Sequence, residues 1–345
     1  MRTIQTPLTI ALAAAALSLG SFAPLTHAQD QILSGRRAIQ PEQERQSDST
    51  LSRDILPVDT GFVVHIDVQG LLGSVWWKTV NDSLGLMDEI AGDDDFDEFR
   101  EEFGIDPFKD LLSVTVIGHD QDGDDAVVIL RTTDKIDKAL ARVREMDQYR
   151  LVAHDGLELE TWTDDDDDDA VHALILGRPD SNQRKIVIGQ SPDRVVKVAR
   201  TMLGEARSLA DVDRPAVLAK PRKGSYFYLE VGLPLGELLE GTPASKIASR
   251  ARRFSVDLGE KGDSVYLDAM VATETEDDAH DIADVINGAR SMIALSGLLE
   301  QIPGAFADVL DDARARVEGS SVRMSLSIAM ADLREGLAEL QETYR

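Results

Sequence analysis

The chain contains no cysteine among its 345 residues. Disulfides, thiolate metal sites and Cys nucleophiles are therefore excluded, and the fold must be held by packing alone. Aromatic residues are scarce, at 5%. No apolar run beyond the N-terminal segment is long enough to span a bilayer. Positive charge is also short: 36 Lys and Arg stand against 63 Asp and Glu, for a formal net charge of -27. Such a chain repels nucleic acid and anionic lipid at long range, so no nucleic-acid partner is expected. Several catalytic signatures are missing as well. There is no GxSxG elbow in the mature chain, no SxxK pair, no Walker loop and no GxGxxG. The histidines never fall at HxxxH, HExxH or HxH spacing, so zinc has no anchor. No cofactor and no catalytic residue is predicted.

What is present begins with an export signal. Arg2 gives a positive start, Leu8 to Leu19 is apolar, and Thr26-His27-Ala28 places small residues at −3 and −1 of a cleavage point after Ala28. No Cys follows, so lipid attachment at a lipobox is excluded. The expectation is a periplasmic or secreted protein whose mature chain does not insert into a membrane. Residues 29–54 are polar and lack apolar periodicity, which predicts a disordered linker.

Order is expected from Ile55. Gly61 to Val68 alternates as a strand, and Leu71, Leu72, Val75, Trp76, Val80 and Leu84 recur at helical spacing. Two strands, Leu112 to Gly118 and Ala126 to Thr132, flank a hairpin tip. Ser191-Pro192 is a cap followed by a first-turn proline. After the charged connector 206–223 the order starts again. Ser225 to Val231 resembles the first strand, another hairpin follows, and a long helix through Ile282, Val285 and Ile286 comes next. A further helix is expected from Leu298 to Val317, then the strand Val322 to Met330 and a last helix. The inferred duplication predicts an α+β chain of two tandem ferredoxin-like modules, 55–205 and 224–345, each an antiparallel sheet with helices packed on one face.

The opening Leu56-Pro57-Val58-Asp59 with Asp67-Val68, and the turn Gly104-Ile-Asp-Pro-Phe-Lys-Asp-Leu111, resemble uncharacterised secreted bacterial proteins. Those proteins open on an LPxD strand and carry a G-(I/L)-D-P-x-x-D-L turn before a hairpin. The resemblance covers mainly the first half and implies an extracytoplasmic location. It brings no activity and no binding residue.

Acids cluster at two hairpin ends. Asp120, Asp122 and Asp124 match the first three ligand positions of a calcium loop, but Asp125 stands where the sharp turn requires glycine, and Arg131 where a bidentate acid belongs. The run Asp164 to Asp169, represented by Asp164, Asp166 and Asp168, lacks the spaced order of a calcium loop. Both are predicted to be solvated turns, with weak cation binding as the alternative. His65 and Asp67 share a strand face, predicted to be polar rather than an acid-base couple. Trp76 falls on the apolar stripe of its helix and Trp77 at the edge. The wide apolar faces of the segment 277–317 offer a surface for self-association or for another envelope protein. The favoured reading is an exported, non-enzymatic binding or structural protein of the bacterial envelope. A hydrolase using a carboxylate pair and a weak calcium-responsive module are the alternatives.

Overall fold

A computed structural model describes residues 51–86, 100–101, 103–119, 125–163, 170–177, 181–232, 249–296 and 302–343. All of them lie within the compact unit Ser49–Arg345. Twelve strands form one antiparallel sheet in the order β11-β12-β10-β9-β8-β1-β2-β3-β7-β6-β5-β4. The first part of the chain supplies β1 (Phe62–Asp67), β2 (Leu111–Gly118), β3 (Val127–Thr133), β4 (Arg150–His154), β5 (Leu157–Thr163), β6 (Ala170–Leu176) and β7 (Gln183–Gly189). The remainder supplies β8 (Ser225–Val231), β9 (Ala251–Lys261), β10 (Ser264–Thr273), β11 (Arg316–Glu318) and β12 (Ser321–Ala329).

Eight helices are seen among the described residues. They are α1 (Val68–Gly73), α2 (Val75–Leu84), α3 (Pro107–Asp110), α4 (Ile136–Val143), α5 (Pro192–Met202), α6 (Glu276–Leu295), α7 (Gly304–Asp312) and α8 (Met330–Thr343). The starts of α5 and α6 show side-chain capping. Ser191 accepts from the Arg194 amide at 3.3 Å with Pro192 in the first turn, and Thr275 accepts from Asp278 at 3.1 Å.

Two separate sheets were expected, and one is found. β1 and β8 pair antiparallel over five residues, from Phe62 opposite Val231 to Ile66 opposite Phe227. This pairing also rules out the ferredoxin-like order. That plan flanks its first strand with two strands of the same module and keeps the strands around each helix parallel. A strand has only two hydrogen-bonding edges. β8 takes one edge of β1, and β2 takes the other, antiparallel, from Phe62–Gly118 to Asp67–Ser113. Each side then runs outward as a meander: β1-β2-β3-β7 on one, β8-β9-β10-β12 on the other.

Helices lie on both faces of the sheet, not on one. The face bearing Val63 and His65, here the first face, also carries Ile117, Val127, Ile129 and Val187, which pack against Val195, Val198 and Ala199 of α5. On the second face, Leu140 of α4 covers Trp162, Ala173 and Ile186. Further along that face, α6 packs Ile282 on Val322, and α8 sets Leu333 and Leu337 against Val265. The reason is that the central strands are apolar on both sides, with Val114, Val128 and Leu130 facing opposite to Ile117, Val127 and Ile129. Both faces of such strands must be covered.

The helix expected over 298–317 is shorter. α7 ends at Asp312, and Val317 belongs to β11, which turns through Gly319 (φ 61°) into β12. The described chain begins with Leu51, a buried member of the first-face core. Two further stretches whose apolar spacing predicts helices, around Phe96 and from Leu235, lie outside the described residues.

Candidate functional site

The polar groups of this chain converge on the first face where β1 meets β8. His65 is buried, and its Nδ1 lies 2.8 Å from Thr115 Oγ1 on the adjacent strand. Burial, helped by the nearby Arg131 guanidinium, lowers its pKa to about 4, so the ring is neutral at pH 7. Asp67, its neighbour on that strand face, instead caps α1 by accepting from the Gly70 amide at 2.9 Å. The strand face expected to be polar is buried instead: His65 turns to a threonine and Asp67 to a helix end.

Across the seam, Glu230 is fully buried. Its Oε2 accepts from the Ala219 amide at 2.9 Å and from the Tyr228 hydroxyl, and Arg253 Nε lies 3.4 Å from Oε1. Arg253 in turn donates to the carbonyls of Pro215 and Ala216, both at 3.1 Å. One strand further, Asp257 accepts from the Arg222 amide at 2.9 Å, and Asp268 pairs with the Arg222 guanidinium. The connector therefore lies across the first face of β8, β9 and β10, its backbone held by charged sheet side chains. Pro215, Val217 and Ala219 of this charged connector are buried. Gly232 permits the close approach, since a Cβ there would sit 2.3 Å from the Ala216 carbonyl oxygen.

Two surface hollows are lined by groups that also have structural duties. A hollow of about 480 Å³ is lined by Arg100, Asp106, Lys109, Asp110 and Lys135, among others. Asp106 caps α3 through the Phe108 amide (3.1 Å). Asp110 accepts from the Asp106 amide (2.9 Å), Thr133 (3.0 Å) and Lys135 (3.1 Å). The second, of about 440 Å³, lies between Ser52, Arg53 and Asp54 on one side and Ala219, Lys220 and Pro221 on the other. The Arg53 guanidinium there is tied to the Leu209 and Val212 carbonyls.

The cation candidates Asp120, Asp122, Asp124, Asp164, Asp166 and Asp168 lie outside the described residues. The base of the first hairpin tip is described. Asp125 accepts from the His119 amide at 3.1 Å and lies 3.6 Å from the buried Arg194 guanidinium. Arg194 and Lys197 both bond Asp59, at 2.9 and 2.5 Å. Burial alone would raise the Asp59 pKa, but these two cations outweigh it and hold the carboxyl below its usual range. Two fixed positive charges thus already stand at the foot of that loop. Among the described residues no three His, Asp or Glu side chains are grouped to hold a metal ion. Three further described histidines bond separately: His154 to Asp193 at 2.6 Å, His172 to Thr161 at 3.0 Å, and His119 to the Asp59 carbonyl at 2.8 Å. Trp76 stacks on Tyr226, with ring centroids 5.7 Å apart, and joins the α8 core; Trp77 is half-buried.

Sequence reasoning did not find Glu230, Arg253, Asp257, Asp268 or Arg222. The available signal was weak: an acid inside each of three strand patterns, and a basic run at Lys220-Pro-Arg-Lys223 in an acidic chain.

No family model matches this chain, and no curated protein matches it. Among solved structures, two crystal forms of TP0453 align with it. Form III aligns over 83% of this chain and 97% of its own length, at 9% identity and a TM-score of 0.39. Form I aligns over 85% and 98%, at 10% identity and a TM-score of 0.37. No helix among the described residues is long and apolar enough to cross a membrane.

Proposed function

We propose that this chain is an exported, non-enzymatic binding or structural protein of the bacterial envelope, built from a duplicated half-sheet. The single observation that carries the non-enzymatic part is the use made of the buried acids. Glu230, Asp257 and Asp268 each bind the connector, through a backbone amide or the Arg222 guanidinium. A glycosidase-type hydrolase needs two carboxylates free to act on opposite sides of a bound substrate. Acids occupied by the protein's own groups serve that role poorly. The export part rests on the N-terminal signal pattern, and the duplication on the matching outward strand orders around the β1–β8 pair. A net charge as far from zero as -27 favours solubility.

The test is cross-linking of the mature chain in its own envelope fraction, with the joined species identified by mass spectrometry. A stoichiometric adduct with one envelope component, or with a second copy, is the expected result. Recovery of the chain in the cytosol, or uncross-linked in the envelope at every reagent length, would overturn the reading.

A further inference from the structure

Asp257 and Asp268 stand directly opposite each other on β9 and β10. Like charges at opposed positions repel, and both carboxylates are buried. The structure places one guanidinium against them. Arg222, from the connector, ion-pairs with Asp268, while its own backbone amide donates to Asp257 at 2.9 Å. Its guanidinium carbon lies 5.4 Å from the centre of the Tyr266 ring, in cation–π range. The seat is built around this cation. Tyr266 donates its hydroxyl to Asp257 at 3.3 Å, and Ser325 donates to the other oxygen of Asp268. Gly259 leaves the room, since a Cβ there would come within 2.7 Å of the Tyr266 hydroxyl.

The seat is buried, but its occupant is not. The Asp268 side chain is 11% exposed, against 48% for Arg222. Upstream, the connector is anchored by buried Val217 and Ala219, so the Arg222 side chain can leave without lifting the buried part of the strap. One guanidinium charge opposes two carboxylates, and burial raises the Asp257 pKa. The seat therefore favours a planar cation, which an aromatic face and a carboxylate bind together.

We propose that Arg222 is an autoinhibitory internal ligand, holding in cis a guanidinium seat that an arginine side chain of a basic partner segment takes in trans. The inference deepens the binding reading above and rests on it. Exchange of Arg222 for a partner's arginine conserves the ion pair with Asp268 and the contact with Tyr266, and releases the Arg222 guanidinium while its amide stays on Asp257.

The experiment compares wild-type chain with R222Q and with the double variant R222Q/D268N. Each is titrated with N-acetyl-arginine amide at constant ionic strength, with the neutral citrulline analogue as control, and followed by amide NMR shifts. The expected result is at least tenfold tighter binding of the arginine probe by R222Q than by wild type. The citrulline analogue gains nothing, and the added D268N change abolishes the gain. Equal affinity in wild type and R222Q, or a gain indifferent to D268N, would show that Arg222 only clamps the connector. If R222Q does not melt cooperatively, R222K carries the same comparison, because lysine keeps the charge but loses the planar fork. Failure here with an envelope adduct still recovered sinks the seat alone, whereas arginine binding without such an adduct sinks only the envelope reading.

Discussion

His65 and Glu230 occupy equivalent places on the two sides of one strand pairing. The β1–β8 register is centred on Val64 opposite Leu229, and each of the two residues lies one step beyond that centre in its own strand. Both project onto the first face and both are buried. Each is satisfied differently, His65 by a neighbouring strand and Glu230 by the connector. The middle of the sheet thus holds one neutral base and one acid, each with its own effect on stability.

The His65 ring has a pKa of about 4 when folded, against 6.5 for an unperturbed histidine. The unfolded chain therefore binds the proton more tightly. Stability from this residue is complete above pH 6.5 and is lost as pH falls toward 4, by about 3 kcal/mol in all. Urea unfolding between pH 4.5 and 7.5 reads this as a slope. In H65Q the slope should flatten by the titration of one group, whatever the variant's overall stability. An unchanged slope would mean that His65 is not buried neutral.

Replacing Glu230 with glutamine leaves Arg253 without its carboxylate and weakens the acceptor of the Ala219 amide and the Tyr228 hydroxyl. Breaking one side of such a pair should cost about 2–3 kcal/mol. Y228F removes only one hydroxyl and should cost about 1 kcal/mol. Equal effects in chemical denaturation would contradict the central place of the carboxylate.

Two glycines should respond in opposite directions. Gly232→Ala drives a Cβ to within 2.3 Å of the Ala216 carbonyl oxygen and should destabilise by about 1–3 kcal/mol. Gly288→Ala lies inside α6 with nothing within 4 Å, and should stabilise by about 0.5–1 kcal/mol. Thermal melts of the pair test whether the connector presses on the sheet as described.

Residues 55–205 expressed alone should not give a well-behaved monomer. Without β8, strand β1 becomes an open edge bearing Val63 and Ile66, which invites pairing with other chains. Size-exclusion chromatography should show association. A monomeric fragment with a cooperative melt would show that the first half is complete without the seam.

Much of the local structure was legible in the residues. β8 was expected over Ser225–Val231 and is found there, because strict alternation with bulky β-formers leaves little choice of register. The cap at Ser191 was readable because a hydroxyl before a helix satisfies a free amide. The arrangement of strands was less legible. Either edge of β1 offers the same backbone groups, so alternation cannot say that β8 will take one of them. The helix expected to reach Val317 failed for a similar reason: apolar spacing in a short stretch suits both helix and strand, and pairing with β12 decided it.

The seat of Arg222 was invisible for a physical reason as well. Asp257 and Asp268 are eleven positions apart and resemble any other acids in a chain of net charge -27. Only the β9–β10 register makes them opposite, and only the path of the connector brings the Arg222 guanidinium to Asp268 and its amide to Asp257. Composition and periodicity decided most of the strands and helices and that no cysteine chemistry is possible, because those depend on the residues themselves and their neighbours in sequence. The tertiary structure decided the single sheet, the two covered faces and the partners of the buried charges, because edge pairing and ion pairing depend on groups that meet only after the chain has folded.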